Sequence, residues 1–396
     1  MIALPVLWLY GASGVGKTTV TWELFVQLTR EGVAAGYVDI DQLGMCYGPP
    51  TRQHWAPEPA ADPGRHQLKA RTLDAVVANF QDAGARCVIV PGVTDPVRGV
   101  ETDLVPHAAL TTCRLRAEPA ELSRRLAARG SPNDDHAEQI AYADALDRAF
   151  ATEPCVDTTG LTVGEVVDRV RARTGWPDLA APVEKPSATR QVPDPTPGEI
   201  LWLHGPAAVG KSTVGWQVYQ QVRRVGISAA FVDLDQIGFH RPAAAGDPGN
   251  HRLKAANLAA VWHAFRDSGA ECLIAVGPLD RPEDLAAYTA VLPAATITLC
   301  QLHASRQVLA ERVARRGRGL TPTRGLAGDE LLGQPQARLH EIADQAALIV
   351  DALDGVGDLR VDTDDRLADQ IATEILGRTG WPSQRTDIRP GPPPRP

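Results

Sequence analysis

The stretch LWLYGASGVGKTTVTWEL, residues 7–24, returns later in the chain as LWLHGPAAVGKSTVGWQV, residues 201–218. In both places an apolar run leads into a glycine-rich loop, and a lysine followed by a hydroxyl residue opens an amphipathic segment. The order of apolar run, G-x-x-x-x-G-K-[ST] and helical pattern is typical of a phosphate-binding loop between a strand and a helix. Glycines let successive backbone N–H groups surround phosphate oxygens, and the helix N-terminus adds a favourable dipole. The sequence therefore predicts two nucleoside triphosphate sites.

The two loops supply the residues that we expect around the phosphates. They are Gly11, Ala12, Ser13, Gly14, Val15, Gly16, Lys17, Thr18 and Thr19 in the first loop, and Gly205, Pro206, Ala207, Ala208, Val209, Gly210, Lys211, Ser212 and Thr213 in the second. Lys17 and Lys211 are expected to reach the β- and γ-phosphates, and the hydroxyls of Thr18 and Ser212 to ligate Mg²⁺. A glycine-rich turn without a ligand is the alternative, but two of the chain's five lysines stand at the required place. Because no N-K-x-D guanine motif is present, we expect ATP and Mg²⁺ as the cofactors.

Further motifs repeat in the same order along the chain. YVDIDQLG at 37–44 matches FVDLDQIG at 231–238, and RTGWP closes both copies. Units of this length are too large for a solenoid and predict two copies of one domain. The proline-rich stretch between them has no hydrophobic period and predicts a linker that lets the copies pair with each other. The expected boundaries are a first copy at 1–177, a linker at 178–199, a second copy at 200–382 and a disordered tail at 383–396.

Short apolar runs alternate with amphipathic stretches within each copy. In the first copy strands are expected at about 5–10, 36–40, 86–91, 109–115 and 154–158. Helices are expected at about 16–31, 64–83, 118–129, 136–149 and 162–173. Such alternation predicts an α/β fold in which helices cover both faces of a parallel sheet. Each copy is therefore expected to be a three-layer αβα P-loop NTPase domain with a mainly five-stranded parallel sheet, whose ligand lies beyond the carboxyl ends of the strands.

An acidic pair ends the second strand of each copy: Asp39 and Asp41 in the first, Asp233 and Asp235 in the second. Residues two apart on a strand point to the same side, so both carboxylates of a pair should face the cleft beside the phosphate loop. One could hold Mg²⁺ through water, and the other could orient or deprotonate a substrate hydroxyl. The alternative is a solvated strand end or a helix cap. Two like charges together are costly without a cation, which favours the functional interpretation.

The stretch DPGRHQLKA, residues 62–70, returns as DPGNHRLKA, residues 247–255. Asp62 and Asp247 are expected to cap the following helix, with a proline at its first position. A lysine in the first turns of a helix opposes the helix dipole, so local stability does not explain its presence. We expect the lysine, with the histidine three residues before it, to bind an anionic group of a phosphoryl acceptor. The alternative is that the duplication copied both residues and that they have no function. The four residues of this prediction are His66, Lys69, His251 and Lys254.

The pattern resembles the adenylate-kinase-like group of small-molecule kinases, such as adenylylsulfate, shikimate and gluconate kinases. The resemblance rests on the two phosphate loops, on VDIDQ and VDLDQ, on LRAEPAELSRRLAARG and LHASRQVLAERVARRG, and on CVDTTGLTVGEVVDRV. It implies that the acidic pair faces the acceptor and that the R-x-x-x-R-G element opens a lid whose arginines meet the phosphates. These arginines are Arg125 and Arg129 in the first copy, and Arg312 and Arg316 in the second. A solvated basic face is the competing interpretation, and no substrate signature of these kinases is complete.

The composition and charge limit the classes of binding partner that we expect. A formal charge of −8 predicts no surface for nucleic acid or an anionic membrane. No apolar run reaches transmembrane length, and the apolar N-terminus lacks the basic segment and cleavage site of a signal peptide, so we expect a cytoplasmic protein. The six cysteines lack metal-site spacing and are expected to be buried on strands.

Two functions are consistent with these features. The first is an ATP-dependent phosphotransferase that moves the γ-phosphate to a small hydroxylated or anionic metabolite. The alternative is a nucleotide-sensing module with two ATP sites, which either hydrolyses ATP or has no catalytic activity. Length differences between the copies fall around the acceptor loop and the lid. They indicate two different acceptor pockets, or one active copy and one regulatory copy.

Overall fold

A computed structural model describes residues 3–52, 54–129, 136–177, 195–320, 327–329 and 331–383 of the 396-residue chain. Most of the expected linker, residues 178–194, lies outside the described residues. So does nearly all of the expected tail, from residue 384 onward. We refer to the two similar parts of the chain as the first and second repeat.

The first repeat contains six strands and five helices among its described residues. Its strands are β1 (Leu4–Tyr10), β2 (Ala35–Tyr37), β3 (Cys46–Tyr47), β4 (Cys87–Gly92), β5 (Ala108–Arg116) and β6 (Cys155–Asp157). Its helices are α1 (Lys17–Arg30), α2 (His66–Asp82), α3 (Pro119–Arg129), α4 (His136–Ala149) and α5 (Val163–Thr174). Apart from β3, which was not predicted, the order of strands and helices matches the prediction, because apolar runs and helical periodicity mark these elements.

The second repeat follows the same plan in its described part. Its strands are β7 (Gly198–His204), β8 (Ala229–Asp233), β9 (Phe239–Arg241), β10 (Cys272–Val276), β11 (Ala295–His303) and β12 (Leu359–Asp362). Its helices are α6 (Lys211–Arg224), α7 (His251–Asp267), α8 (Leu285–Val291), α9 (Arg306–Gly317), α10 (Gln336–Ala352) and α11 (Ala368–Thr379). Helix α8 has no counterpart in the first repeat, where a short 3₁₀ turn, Thr102–Leu104, stands in the same interval between strands.

The chain forms two six-stranded sheets, with strand orders β6-β5-β1-β4-β2-β9 and β12-β11-β7-β10-β8-β3. In each sheet five strands of one repeat run parallel, which confirms the predicted α/β fold with a mainly five-stranded parallel sheet. The sixth strand is antiparallel and comes from the other repeat. The first sheet thus ends in a strand of the second repeat, and the second sheet ends in a strand of the first.

This strand exchange follows directly after the acidic pairs. Strand β9 lies along β2, with Phe239 opposite Tyr37 and Arg241 opposite Ala35. Strand β3 lies along β8, with Cys46 opposite Ala230. An edge strand has unpaired N–H and C=O groups, and each exchanged strand satisfies some of them on the neighbouring repeat. The exchange was not predicted, because strands of two or three residues carry no periodic pattern.

The two repeats also share a hydrophobic core. One continuous buried cluster contains the apolar face of α2, including Leu73 and Phe80, and the apolar face of α7, including Trp262 and Phe265. Helices α2 and α7 pack against each other, and Asn79 donates its side-chain amide to the Oδ1 of Asn257 at 2.9 Å. Burial of apolar surface on this scale is the main favourable term in association. The repeats are therefore joined by a core and not by surface contacts alone.

The start of α2 differs in detail from the prediction. Asp62 does accept hydrogen bonds from the first helical turn, from the N–H groups of Gln67 and Leu68, both at 3.0 Å. The helix begins only at His66, however, because a 3₁₀ turn with left-handed backbone at Gly64 and Arg65 comes between. Asp247 caps α7 in the same way, through the N–H groups that follow Asn250. The capping carboxylate was predicted correctly and the helix start was placed too early.

The cysteines and the apolar character of the helices were also considered in the sequence. All six cysteines are free, and all except Cys155 are buried. In the described part of the chain, no helix has the length and apolar character needed to cross a membrane.

Candidate functional site

The two phosphate loops join the carboxyl end of a central strand to a helix. The first runs from β1 to α1, and Gly11, Gly14 and Gly16 have positive φ angles. A Cβ on Gly11 would lie 2.3 Å from the carbonyl oxygen of Leu115, so only glycine fits there. The glycine requirement that the sequence suggested thus has a steric cause at this position.

The side chain of each loop lysine bonds to main-chain carbonyls of its own loop. Lys17 Nζ donates to the carbonyl oxygens of Gly11 and Ala12, both at 2.8 Å. Lys211 Nζ makes the equivalent bonds to Gly205 at 2.9 Å and Pro206 at 2.8 Å. Burial lowers the pKa of Lys211. The predicted contact of these two ammonium groups with the phosphate chain stays a prediction.

The second loop carries an alanine where the first has a glycine. Ala208 corresponds to Gly14 and adopts a φ of 66°, a conformation that costs an L-residue about 1–2 kcal/mol. Its methyl group packs against the small cluster of Val313, Leu331, Leu339 and Ala343. That contact offsets part of the strain, and the loop keeps its shape without the glycine.

The acidic pair of the second repeat lies against its phosphate loop. Ser212 Oγ donates to Asp233 Oδ2 at 2.9 Å, and Asp233 Oδ1 accepts from the N–H of Asp235 at 3.1 Å. Burial and the neighbouring charge of Asp235 raise the pKa of Asp233 to about 6. A hydroxyl and a carboxylate on adjacent elements are the hard oxygen ligands that Mg²⁺ prefers, so these residues fit the ion.

In the first repeat strand β2 ends at Tyr37, so the acidic pair does not lie on the strand as predicted; Asp39 instead caps the 3₁₀ turn Ile40–Gly44. The N–H of Asp41 donates to Asp39 Oδ1 at 2.9 Å. Burial, followed by the charge of Asp41, raises the pKa of Asp39 to about 7. A carboxyl whose pKa is raised in this way favours a neighbouring cation, because the cation stabilises the ionised form.

The repeated lysines pair with the second aspartate of each acidic pair. Lys69 Nζ lies 2.9 Å from Asp41 Oδ1, and Lys254 Nζ lies 2.7 Å from Asp235 Oδ1. Burial raises the pKa of both Asp41 and Asp235, but the lysine charge outweighs it and holds each pKa below its ordinary value. The lysine side chains are 7% exposed, whereas the carboxylates remain partly open to the cleft. In the structure each lysine is thus paired with an aspartate of its own repeat, and the prediction that Lys69 and Lys254 bind an anionic group of an acceptor stays a prediction.

The two repeated histidines have different surroundings. His251 is buried, with Nδ1 3.1 Å from the Tyr288 hydroxyl and Nε2 3.1 Å from Asp280 and 3.3 Å from Asp284. Its close neighbour Gly249 has no room for a Cβ, which would lie 2.5 Å from His251 Nε2. In the first repeat, burial and the charge of Lys69 lower the pKa of His66. The prediction that both histidines bind an acceptor stays a prediction.

Arg125 and Arg312, two of the arginines predicted to belong to a lid, bond to residues at the end of the last strand of each repeat. Arg125 donates to Thr158, at 2.9 Å to Oγ1 and 3.0 Å to the carbonyl oxygen. Arg312 makes the same two bonds to Thr363, at 2.9 and 2.7 Å, and a third to the carbonyl of Val209 at 3.0 Å. These contacts fix the phosphate loop against the final strand of each sheet.

The structure describes the side chain of only one of the other two predicted lid arginines, Arg316. Arg316 donates to Asp329 at 2.9 Å. The side chain of Arg129 lies outside the described part of the chain.

The second repeat contains a recess of about 280 Å³ between strand β9 and the start of α7. Its lining includes Phe239, His240, Asn250 and Lys254. The side chain of His240 is buried, and its Nε2 has no hydrogen-bond partner among the described residues. Asn250 donates its side-chain amide to the carbonyl of His240 at 2.9 Å. This bond joins strand β9 to the start of α7, the two elements that line the recess.

In the first repeat, Arg65 stands where the second repeat has Asn250. Arg65 is buried, and its guanidinium lies 4.9 Å from the centre of the Tyr47 ring. The first-repeat loop between β3 and Arg65 is longer than its counterpart and reaches the second repeat, where Arg223 donates to the carbonyls of Gly48, at 3.0 Å, and of Trp55. The two repeats therefore differ in structure around Arg65 and Asn250, although the surrounding motifs are alike.

The sequence and the fold were compared with those of known proteins. Neither a protein-family model nor a curated protein matches the sequence. Solved structures do match at a probability of 1.00, among them the Deinococcus radiodurans tunicamycin resistance protein, at 20% identity and a TM-score of 0.32, covering 46% of this chain and 96% of that one. In fold, the chain is similar to P-loop small-molecule kinases.

Two of these kinases show the extent of the similarity. A gluconokinase from Sinorhizobium meliloti is 18% identical, with a TM-score of 0.31 and coverage of 44% of this chain and 91% of its own. The Mycobacterium tuberculosis APS kinase, solved with AMPPNP and APS, is 21% identical, with a TM-score of 0.31 and coverage of 47% and 99%. Each match spans less than half of this chain. At these identities and scores the chemistry has to be argued from the residues of this chain.

Sequence reasoning missed three groups of residues at the site. Gln42 and Gln236 stand in the quoted motifs, but nothing in the pattern showed that they contact the other repeat. Thr158 and Thr363 are matched threonines in VDTT and VDTD, and the match itself was a usable signal. Arg65 could have been found as a difference between otherwise similar copies of one motif.

Proposed function

We propose that the chain is an ATP-dependent phosphotransferase that moves the γ-phosphate of ATP to a small hydroxylated or anionic metabolite. One observation carries the proposal: beside the phosphate loop of the second repeat, Ser212 bonds Asp233 while Lys254 holds Asp235 ionised at the edge of a recess. A phosphate loop alone binds a nucleotide. A phosphate loop next to an oriented carboxylate and a recess supports transfer to a second substrate.

In this mechanism each residue of the second repeat has one task. Lys211 leaves the loop carbonyls and binds the phosphate chain, where its charge stabilises the transferring group. Asp235 accepts a hydrogen bond from the acceptor hydroxyl and orients it toward the γ-phosphate. Because the pKa of Asp235 is held low, it serves to orient the hydroxyl and takes the proton only late in transfer. Ser212 and Asp233 would hold Mg²⁺, which neutralises charge on the β- and γ-phosphates.

The second repeat is the one that we assign to transfer. Its recess lies between strand β9 and the start of α7, next to Lys254. His240 and Asn250 offer polar atoms there, and Phe239 offers an apolar face, which suits a small polar metabolite with a carbon skeleton. In the first repeat, buried Arg65 occupies the position equivalent to Asn250.

The test is transfer of labelled γ-phosphate from Mg·ATP into a pooled metabolite extract. Lys211→Ala is expected to reduce labelling of a small product by at least about 100-fold, because it removes the charge that stabilises the transferring phosphoryl group. Lys17→Ala is expected to retain most of the labelling. Lys185→Ala, a substitution in neither phosphate loop, is the matched lysine control and should behave as wild type.

Two results would contradict this assignment. Loss of label in Lys17→Ala with retention in Lys211→Ala would move the transferase site to the first repeat. ATP binding without label in any small molecule, with both lysines intact, would favour the nucleotide-sensing module. A sensing role has one observation in its favour, since the first repeat has a phosphate loop and an acidic pair but a buried arginine on its acceptor side.

A further inference from the structure

The glutamine that follows each acidic pair lies at the junction of the two repeats. Gln42 Oε1 accepts a hydrogen bond from the N–H of Asp233 at 2.7 Å. In the other direction, the N–H of Asp39 donates to the main-chain carbonyl of Gln236 at 2.9 Å. Both glutamines are buried. The main chain of each acidic pair is therefore bonded by the glutamine of the other repeat.

The two contacts use different atoms of the same residue type. Gln42 reaches Asp233 with its side chain, whereas Gln236 meets Asp39 with its main chain. The side-chain amide of Gln236 donates instead to the carbonyl of Ala327 at 2.9 Å. A main-chain carbonyl is present whatever the side chain is. Only the bond from Gln42 to the second repeat depends on residue type.

The side chain of Gln42 continues a strand ladder. Strand β3 pairs with β8, and the N–H of Phe231 donates to the carbonyl of Met45 at 2.9 Å. The N–H of Asp233, two residues on, points to the same side of the strand. Strand β3 does not extend far enough to place a main-chain carbonyl opposite this N–H. Gln42 Oε1 supplies the acceptor instead.

The position of the Asp233 main chain determines the position of its carboxylate. Its carboxylate accepts from Ser212 Oγ on one oxygen and from the N–H of Asp235 on the other. A buried N–H without an acceptor costs about 1–3 kcal/mol, so loss of Gln42 Oε1 would favour a rotated peptide at Asp233. That rotation would move the carboxylate away from Ser212.

We propose that Gln42, a residue of the first repeat, is a positioning residue for the Mg·nucleotide site of the second repeat. It fixes the main chain of Asp233 so that the carboxylate faces Ser212. The inference rests on the proposed function, since it presumes that the second phosphate loop binds Mg·ATP. It adds that neither repeat supplies the whole of the second site.

The experiment measures ATP affinity with Mg²⁺ and with EDTA, by calorimetry, in the Lys17→Ala chain so that the second site dominates. Gln42→Met removes the acceptor and nearly preserves the volume. We expect it to lower the Mg²⁺-dependent gain in affinity about five- to tenfold, with little change in EDTA. A purely structural role would lower both affinities together.

The matched control is Gln236→Met in the Lys211→Ala chain, which reports on the first site. Because Asp39 is bonded by a main-chain carbonyl, the Mg²⁺-dependent gain should change less than about twofold. An unchanged gain in Gln42→Met, or equal losses with Mg²⁺ and EDTA, would overturn the inference while leaving the proposed function standing. Failure of the Lys17→Ala parent to bind ATP under either condition, while the wild-type chain binds it, would overturn both the inference and the assignment of transfer to the second repeat.

Discussion

At the scale of single residues, the site depends on how charge is distributed within each acidic pair. One carboxylate of each pair is held ionised by a buried lysine, and the other has a raised pKa because it is buried beside the first. Like charges so close together cannot both ionise freely without a cation. The pair is thus divided into a member suited to orient a hydroxyl, Asp41 or Asp235, and a member suited to share a cation, Asp39 or Asp233.

This division predicts how nucleotide binding depends on pH. The pKa of Asp39 is about 7. As the pH falls through that value the carboxyl takes up a proton, which competes with Mg²⁺, so the affinity for Mg·ATP should decrease. Above about pH 7 the group is ionised and the affinity should level off. The measurement is the dissociation constant for Mg·ATP between pH 5.5 and 8 in the Lys211→Ala chain, where the first site dominates.

Asp39→Asn is the control for this titration, because the terminal phosphate of the nucleotide also titrates near neutral pH. The asparagine variant should bind more weakly at pH 8 and show a shallower slope below pH 7. Equal slopes in the two proteins would mean that Asp39 does not exchange its proton for the cation.

At the scale of strands and helices, the short exchanged strands do more than their length indicates. Strand β9 brings Phe239 against Trp22 and Tyr37 of the first repeat, with ring centres 4.9 and 6.0 Å apart. Arg241 lies above Trp22 and Phe25 on the same face. A two- or three-residue strand contributes few hydrogen bonds, so these aromatic contacts supply much of its attachment.

Phe239→Ala should therefore destabilise the whole chain. We expect a loss of about 2–3 kcal/mol in the free energy of unfolding, somewhat below the range for a fully buried phenylalanine. Urea denaturation followed by tryptophan fluorescence would measure it. Val225→Ala, at a side chain that is 75% exposed at the end of α6, should change stability by less than about 0.5 kcal/mol. A similar small effect of Phe239→Ala would show that β9 is only loosely attached.

Much of each repeat could be predicted from its sequence, for physical reasons that particular elements illustrate. Strand β4 is wholly buried and reads as a continuous apolar run, and α5 begins with the Thr162–Glu165 capping box and ends at left-handed Gly175. Such signals are local. The partners of β3 and β9 are not local, since nothing in CY or FHR states which sheet edge will accept them. Both Lys69 and Asp41 were predicted as site residues, but their ion pair was not predicted, because contacts between elements come from packing and not from local patterns.

At the scale of the whole molecule, the shared core makes the two repeats one folding unit. Helices α2 and α7 bury their apolar faces against each other, and each sheet lacks an edge strand without the other repeat. A repeat folded alone would expose both the helix face and the sheet edge. Exposed surfaces of this kind favour aggregation.

The full chain should accordingly unfold in a single transition. Val261→Ala, in the shared core on α7, should lower the unfolding free energy by about 1–3 kcal/mol and shift the loss of structure in both repeats together. Hydrogen exchange resolved by peptide would show matched increases in β4 and β10. Two separate transitions, with β4 unaffected by the substitution, would mean that the repeats fold independently.

The reciprocal exchange of β3 and β9 also bears on how such a chain could arise. Two separate copies of one repeat can make the same exchange about a two-fold axis, each giving an edge strand to the other. Joined in one chain, the copies meet at a local concentration of about millimolar, so their assembly no longer depends on protein abundance. A joined pair also need not remain identical. Asn250 beside an open recess in one copy, and Arg65 over Tyr47 in the other, are differences that two identical subunits of a homodimer could not have acquired separately.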